Sequence, residues 1–225
     1  MSVVQAVLWD MDGTLVDSED FHWIAWRDTM MNEHVVITHE QFLSTFGQRN
    51  DSILLQWLGA AATPAHMESV ADAKEEVYRQ LVRKNGISAL PGAVEWVRRL
   101  HEQGWLQAVA SSAPRTNVEV VLEALGTSDC FQSIAAAEDV HRGKPDPEVY
   151  LTAASRLGVS SDRCIVVEDA VAGIEGARRA GMRSIGVSRD GKHMAADIVV
   201  QALDLLNLDA FEVLLQDSSF RASGA

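Results

Sequence analysis

Basic residues are scarce in this chain of 225 residues: 19 Lys+Arg face 32 Asp+Glu, a formal charge of −13. That balance speaks against nucleic acid or an anionic membrane as partner, since both recruit cationic surfaces. Any anionic substrate has to be attracted locally, by a few cations and a metal ion. Cysteine is nearly absent. Cys130 and Cys164 form no metal-type pair and open no disulfide framework, so both read as structural thiols in a reducing compartment. The seven histidines show no metal-type spacing, and zinc is not expected. No apolar run approaches membrane-spanning length, and Met1-Ser2 lead on without a basic n-region, so a cytoplasmic protein with no membrane partner is expected. Internal repeats and low-complexity tracts are missing as well. What remains, 47% hydrophobic and 23% charged residues, is ordinary globular material, long enough for one good core plus a smaller domain.

The stretch that organises the rest is Val3–Asp20. Its apolar run, Val3–Trp9, is β-branched and lacks clean alternation, as in a central parallel strand buried on both faces. Such strands place ligands beyond their carboxyl ends, and here two aspartates, Asp10 and Asp12, follow at once, with Gly13 and Thr14 behind them. Two carboxylates at one edge repel unless a cation or proton lies between them, and a hard ion such as Mg²⁺ suits oxygen ligands. A carboxylate can also attack phosphorus to give an aspartyl-phosphate, and Gly13 would let backbone N–H groups approach an anion. The same Asp-x-Asp-Gly-Thr string is equally a plain turn sequence.

From Ser18 to about Gly86 the text is helical throughout. Ser18 reads as a helix cap, Thr38 and Gln41 as a capping box, and Thr63-Pro64 as the start of a long helix ending at Asn85-Gly86. From Pro91 onward helix and strand alternate. Helices are expected over Pro91–Gln103, Asn117–Leu125, Pro147–Leu157, Val171–Ala180 and Leu205–Leu215. Strands are expected over Leu106–Ala110, Ser133–Ala137, Cys164–Val167, Arg183–Val187 and, at an edge, Ile198–Val200, while Asp217–Ala225 reads as a frayed end. The fold class is therefore α/β, a Rossmann-like doubly wound parallel sheet core with an inserted α-helical cap domain. Residues 1–17 and 88–225 form the core and 18–87 the cap, with Leu15–Ser18 and Ser88–Pro91 as a two-stranded hinge.

Three later loops fall at the same sheet edge as Asp10. Ser111-Ser112 could hold phosphate oxygens just before a helix, or merely cap it. In Gly143-Lys144-Pro145-Asp146-Pro147 a stiff backbone frames one lysine, or simply opens a helix. Glu168-Asp169, followed by Gly173, could bind a cation with Asp10 and Asp12, or be helix N-cap acids. The ordered combination of these four motifs resembles the signature set of the haloacid dehalogenase superfamily, and the helical insertion resembles the cap of its β-phosphoglucomutase-like phosphatases.

That resemblance implies a role for each matching residue. Asp10 would be the nucleophile and Asp12 the acid and base. Ser111 and Lys144 would hold the phosphoryl oxygens, and Mg²⁺ would be bound by the Asp10 carboxylate, the Asp12 main-chain carbonyl and Asp169, with Glu168 beside it. Having Asp12 and Asp169 argues for phosphate chemistry over dehalogenation. Gly13, Thr14, Ser112, His22, Arg49, Lys74 and Arg115 complete the candidate substrate contacts. Arg49, in a loop between helices, would be free to point into the cleft. Lys74, beside Glu75 and Glu76, reads more as a solvated ion-pairing residue than as a substrate contact. Trp26 reads as cap packing, and His22, four residues before it, as packing or site. His22, Arg49 and Lys74 resemble positions that the superfamily's mutases use in closure and for a second phosphate. The chain departs from those mutases before Arg49, in Phe46-Gly47-Gln48, and after Ser111, in Ser112-Ala113-Pro114-Arg115. The expected function is a Mg²⁺-dependent phosphatase, a monomer acting on a small phosphorylated metabolite such as a sugar phosphate. The alternative is a hexose-phosphate mutase that uses the same aspartate.

Overall fold

A computed structural model describes residues 4–59, 62–191 and 193–216. The first strand, β1, runs Ala6–Trp9; Val3, where the apolar run begins, and the expected frayed end lie outside the described residues. Four helices follow: α1 (Glu19–Asn32), α2 (His39–Thr45), α3 (Asn50–Leu58) and α4 (Pro64–Asn85). Then come α5 (Ala93–Glu102), β2 (Leu106–Ala110), α6 (Arg115–Leu125), β3 (Ser133–Ala135), α7 (Glu148–Leu157), β4 (Cys164–Glu168), α8 (Val171–Arg179), β5 (Arg183–Val187), β6 (Ile198–Val200) and α9 (Ala210–Gln216).

The strands form one parallel sheet in the order β3-β2-β1-β4-β5-β6, with β1 at its centre. This is the doubly wound arrangement, whose order reverses beside β1 and so opens a crevice there. The sheet's two faces bury different material. On one, Val7 and Trp9 pack with Trp96, Trp105 and Phe211. On the other, small residues, Ala6, Ala108, Ala110 and Ala135, let α7 and α8 close on the strands through Ala153, Ala154 and Ala177. The buried polar pair Trp9 and Gln107 is satisfied within the first face: the indole N–H donates to Gln107 Oε1 (2.9 Å), whose amide donates to the carbonyl of Val97 (2.9 Å).

The inserted helices have their own core, Trp26, Met30, Phe42, Ile53, Leu54 and Val70, so Trp26 packs as expected. Thr38 and Gln41 form the capping box, and Thr63 accepts the N–H of His66. The two connectors pair as a ribbon: Asp17 N–H donates to Ser88 O (3.1 Å) and Leu90 N–H to Leu15 O (3.0 Å). Three expectations change. Ser18 precedes α1, but its hydroxyl makes no cap bond and turns to Asp12 instead. β3 stops at Ala135, because Ala137–Asp139 tightens into a 3₁₀ turn that the Asp139 carboxylate closes on Ala136 N–H. The closing helix begins at Ala210, since Leu203–Leu205 is a separate 3₁₀ turn whose Leu203 carbonyl accepts the indole N–H of Trp96.

Candidate active site

Register assembles the site. Trp9 lies opposite Val109 on one side and Val167 on the other, so the residues after the three strands, Asp10, Ser111 and Asp169, come out at one edge with Glu168. Lys144, from the loop before α7, reaches in to Asp10 Oδ1 (2.5 Å) and Glu168 Oε1 (2.7 Å). Glu168 is fixed further by the Tyr150 hydroxyl (3.3 Å) and the Ala170 N–H (2.7 Å). Ser111 is buried, and its Oγ accepts the N–H of Ala113 (3.0 Å), which leaves its hydroxyl hydrogen for an acceptor in the cleft. Ser112 is half-buried beside it.

Two glycines make room for these acids. Gly13 holds φ +87°, and a Cβ there would overlap the Asp169 carboxylate; a Cβ on Gly173 would overlap that of Glu168. Gly13 N–H is spent on Val16 O (2.9 Å) and the Thr14 hydroxyl on Asp169 Oδ1 (3.3 Å). Both were expected to face substrate; instead they seat Asp169.

Oxygens of Asp10, Glu168 and Asp169 lie within 4.8 Å of one another. Burial, then Glu168, pushes the Asp10 carboxyl up to about 7, against the pull of Lys144, and burial with the same neighbours raises Asp169 well above the carboxylate range. Close hard oxygen donors with more negative charge than one lysine can offset are the donor set that Mg²⁺ favours. The Asp12 carboxylate does not join them.

Asp12 looks toward the cap. Its Oδ1 accepts the Ser18 hydroxyl (2.6 Å) and lies 3.1 Å from His22 Nε2, while Lys74 Nζ stands 2.9 Å from His22 Nδ1. A lysine donating to Nδ1 leaves the ring proton on Nε2, facing Asp12. Burial alone would raise Asp12, but His22 and Ser18 hold it below the usual carboxylate value. Lys74 is not solvated as its acidic neighbours suggested: it is 2% exposed, bound to Glu75 Oε1 (2.8 Å) and set over the Trp26 ring. Tyr78, four residues on and hence on the same helix face, stacks on His22 at 4.2 Å between ring centroids. Its hydroxyl is buried, and that burial, with the Asp12 and Glu75 charges near it, raises it well above the usual phenol range. Ser18, Tyr78, Glu75 and Tyr150 escaped the sequence reading, although Tyr78 carried a signal in its spacing from Lys74.

The other two predicted cations are engaged elsewhere. Arg49 is not free in the cleft; it donates to the carbonyls of Ala137 (2.8 Å) and Val140 (3.3 Å) and pairs with Asp51 (3.3 Å). Its stem lies across Gly143, where a Cβ would press on it. Arg115 turns away to Ile134 O (3.0 Å) and Asp139 (2.6 Å).

The arrangement defines a class before it defines a relative: a parallel sheet that delivers an aspartate pair, a buried lysine and an acidic cluster to one edge beneath a helical cap. Residues 7–187 match the haloacid dehalogenase-like hydrolases, and the chain belongs to that family. Among its relatives, β-phosphoglucomutase of Bacillus subtilis is 32% identical, with 92% of this chain and 93% of that one covered. Hexitol phosphatase B of Escherichia coli is 34% identical, covering 89% and 93%. A chloroplastic protein of Arabidopsis thaliana, SUPPRESSOR OF QUENCHING 1, is 38% identical over 82% of this chain, which spans 18% of its length. The crystal structure of β-phosphoglucomutase from Clostridium difficile superposes with a TM-score of 0.85 at 27% identity, covering 95% and 98%.

Proposed function

We propose that this protein is a Mg²⁺-dependent phosphatase that hydrolyses a small phosphate monoester, a sugar or polyol phosphate, through an aspartyl-phosphate on Asp10. The observation that carries this reading is the engagement of the remaining candidate cations. Lys74, Arg49 and Arg115 are each bound by groups of the protein itself, so the cleft supports one anionic group, at Asp10, Lys144 and Ser111. A mutase needs a second cationic seat for the distal phosphate of its bisphosphate. Names of relatives support both chemistries, one being a hexitol phosphatase and another a β-phosphoglucomutase.

In this reading an Asp10 oxygen attacks phosphorus as the bond to the leaving oxygen breaks, and Asp12 gives that oxygen its proton. Water then attacks the phosphorus of the aspartyl-phosphate, Asp12 takes a proton from it, and the Asp10–phosphorus bond breaks to release phosphate. Lys144 and the Ser111 hydroxyl hold the transferring oxygens, which supplies the positioning and charge neutralisation on which phosphoryl transfer depends. Asp12 rests as a carboxylate; the negative charge of an incoming phosphate raises its proton affinity, so it takes up a proton from bulk water as substrate binds, passes it to the leaving oxygen, and returns the proton it later takes from the attacking water to solvent as phosphate departs. The oxygens of Asp10, Asp169 and the Asp12 backbone, with Glu168 beside them, would hold Mg²⁺, which when bound neutralises the crowded carboxylates and the phosphate's charge. The inserted helices act as a closing cap on the paired hinge, and the chain works as a cytoplasmic monomer, consistent with two buried unpaired thiols.

The test is incubation with Mg²⁺ and a panel of hexitol and sugar phosphates, including β-glucose 1-phosphate primed with a trace of its bisphosphate. Phosphate release without isomerised product is expected. Isomerisation outrunning release would overturn the phosphatase in favour of the mutase, and no turnover of either kind would sink both.

A further inference from the structure

The cap's link to Asp12 does not end at Lys74. Glu75, the next residue of α4, is 4% exposed, and its carboxylate collects donors from three helices. Oε1 accepts Lys74 Nζ (2.8 Å) and Asn50 Nδ2 of α3 (2.7 Å), and Oε2 accepts Asn117 Nδ2 of α6 (2.5 Å). Asn117 belongs to the core, on the first turn of the helix that follows Ser111, and is fully buried. Its amide orientation is set from the cap as well: Arg79 Nη1 donates to Asn117 Oδ1 (3.0 Å) and to Thr116 Oγ1 (3.2 Å). Glu75 and Arg79 are one turn apart and so form a single ridge of α4, beside the ridge of Lys74 and Tyr78 that underlies His22.

A carboxylate this buried is tolerated only while its hydrogen bonds are made, because an unpaired buried charge is costly. Drawing the cap off the core would strip Asn117 from Glu75 and weaken the hold on Lys74. The ammonium that faces His22 Nδ1, and thereby the ring that faces Asp12, would lose its fixed position.

We infer that Glu75 is a positioning residue, a latch whose bond to Asn117 across the cap–core boundary holds Lys74 and His22 in line with Asp12 only when the cap is docked. The inference rests on the reading of the site as a phosphatase with Asp12 as its acid and base. It extends that reading by naming the pair that registers closure.

The pair can be reversed, which gives the test. In E75Q the introduced amide N–H₂ meets the N–H₂ of Asn117, whose flip is opposed by Arg79. In N117D two carboxylates face each other at hydrogen-bond distance. In E75Q/N117D the introduced amide donates to the introduced carboxylate, and Arg79 pairs with its other oxygen. Each single variant is expected to lose about tenfold or more in kcat, from misplacement of a group at the reacting centre, with KM changing less. The double variant is expected to recover to within about threefold of the unmodified protein. All are to be assayed below their measured melting temperatures. Small-angle scattering of the same samples gives a readout free of turnover, expanded for N117D and compact again for the double variant. Losses that add in the double variant, or single variants that leave kcat and radius unchanged, would overturn the latch. If the unmodified protein hydrolyses no phosphate ester, the phosphatase reading falls and the scattering series alone decides the latch.

Discussion

Asp10 and Asp12 share a turn and lie in opposite electrostatic surroundings. Asp10 is buried among Glu168 and Asp169 with one lysine between them, and its carboxyl rises to about 7. Asp12 is just as enclosed, yet Ser18 and His22, backed by Lys74, hold it ionised. The core side of the site is short of positive charge, whereas on the cap side Asp12 and Glu75 each have their carboxylate held by donors from Ser18, His22, Lys74, Asn50 and Asn117. Titratable groups whose surroundings push them apart take different chemical roles: Asp10 fits the group that waits for a cation and a phosphate, Asp12 the group that handles protons. A single turn sequence thus hosts two electrostatic environments, one supplied by the strand edge and the other by an inserted helix.

The contrast breaks most sharply at Asp10. D10N should lower turnover by at least about a thousandfold, as loss of a covalent nucleophile does, and yet make the metal-free protein melt higher. Because the folded carboxyl is raised, its ionisation costs stability progressively as pH climbs from about 4 toward about 7. The gain in D10N should therefore be largest above pH 7. Calorimetry of both proteins in EDTA across that range checks it; a D10N protein that melts lower at pH 8 would remove the idea that the core side is short of charge.

The cap side should respond with the opposite sign. K74M keeps the volume and the contact with Trp26 but strands the Glu75 carboxylate, and breaking a buried pair in this way costs about 3–5 kcal/mol. Chemical denaturation is expected to show that loss with or without Mg²⁺. A smaller effect follows for G13A, whose methyl would displace Asp169. Disturbing the support of a metal ligand should weaken Mg²⁺ binding by about 10–100-fold, read by titration calorimetry, while phosphate release recovers in part at high Mg²⁺. Unchanged affinity would mean that Asp169 is not a ligand.

How much of this was legible in the sequence depends on distance along the chain. The sheet was legible strand by strand because parallel central strands are unbroken apolar runs, and the helical insertion because its caps, Thr38 with Gln41 and Thr63 with Pro64, are local chemistry. The meeting of Asp10, Ser111, Lys144 and Glu168 could be argued because each ends or follows a strand of one sheet. The partners of individual side chains could not. Lys74 sits among Glu75 and Glu76 and reads as a solvated ion pair; only the docking of α4 against α1 makes it a buried neighbour of His22. Arg49 and Arg115 follow loops, where a cation looks free, and their acceptors are carbonyls and an aspartate some 88 and 24 positions away. Such carbonyls carry no residue identity, so no reading of residue types would have found them.

Asp139 sharpens the comparison at its mildest, since it is a paired acid like Asp12 but lies outside the cleft. Arg156 bonds its carboxylate in two places (2.6 and 2.9 Å), Arg115 adds a third contact, and the Ala136 N–H a fourth (2.8 Å). The Arg156 bonds, with the Ala136 N–H and the charge of Arg115, pull this carboxyl down to about 2. A depressed folded value contributes stability above the unfolded value and loses it as pH falls, here between about pH 4 and about pH 2. With both arginines more than a third exposed, screening reduces the contribution to about 1 kcal/mol. D139N should therefore melt lower than the unmodified protein at pH 6, and the difference should close as both are taken toward pH 2. Turnover at neutral pH should be unchanged, because Arg115 serves the 3₁₀ turn after β3 and not the substrate. A D139N protein with normal stability but a raised KM would return Arg115 to the cleft and reopen the case for a second phosphate.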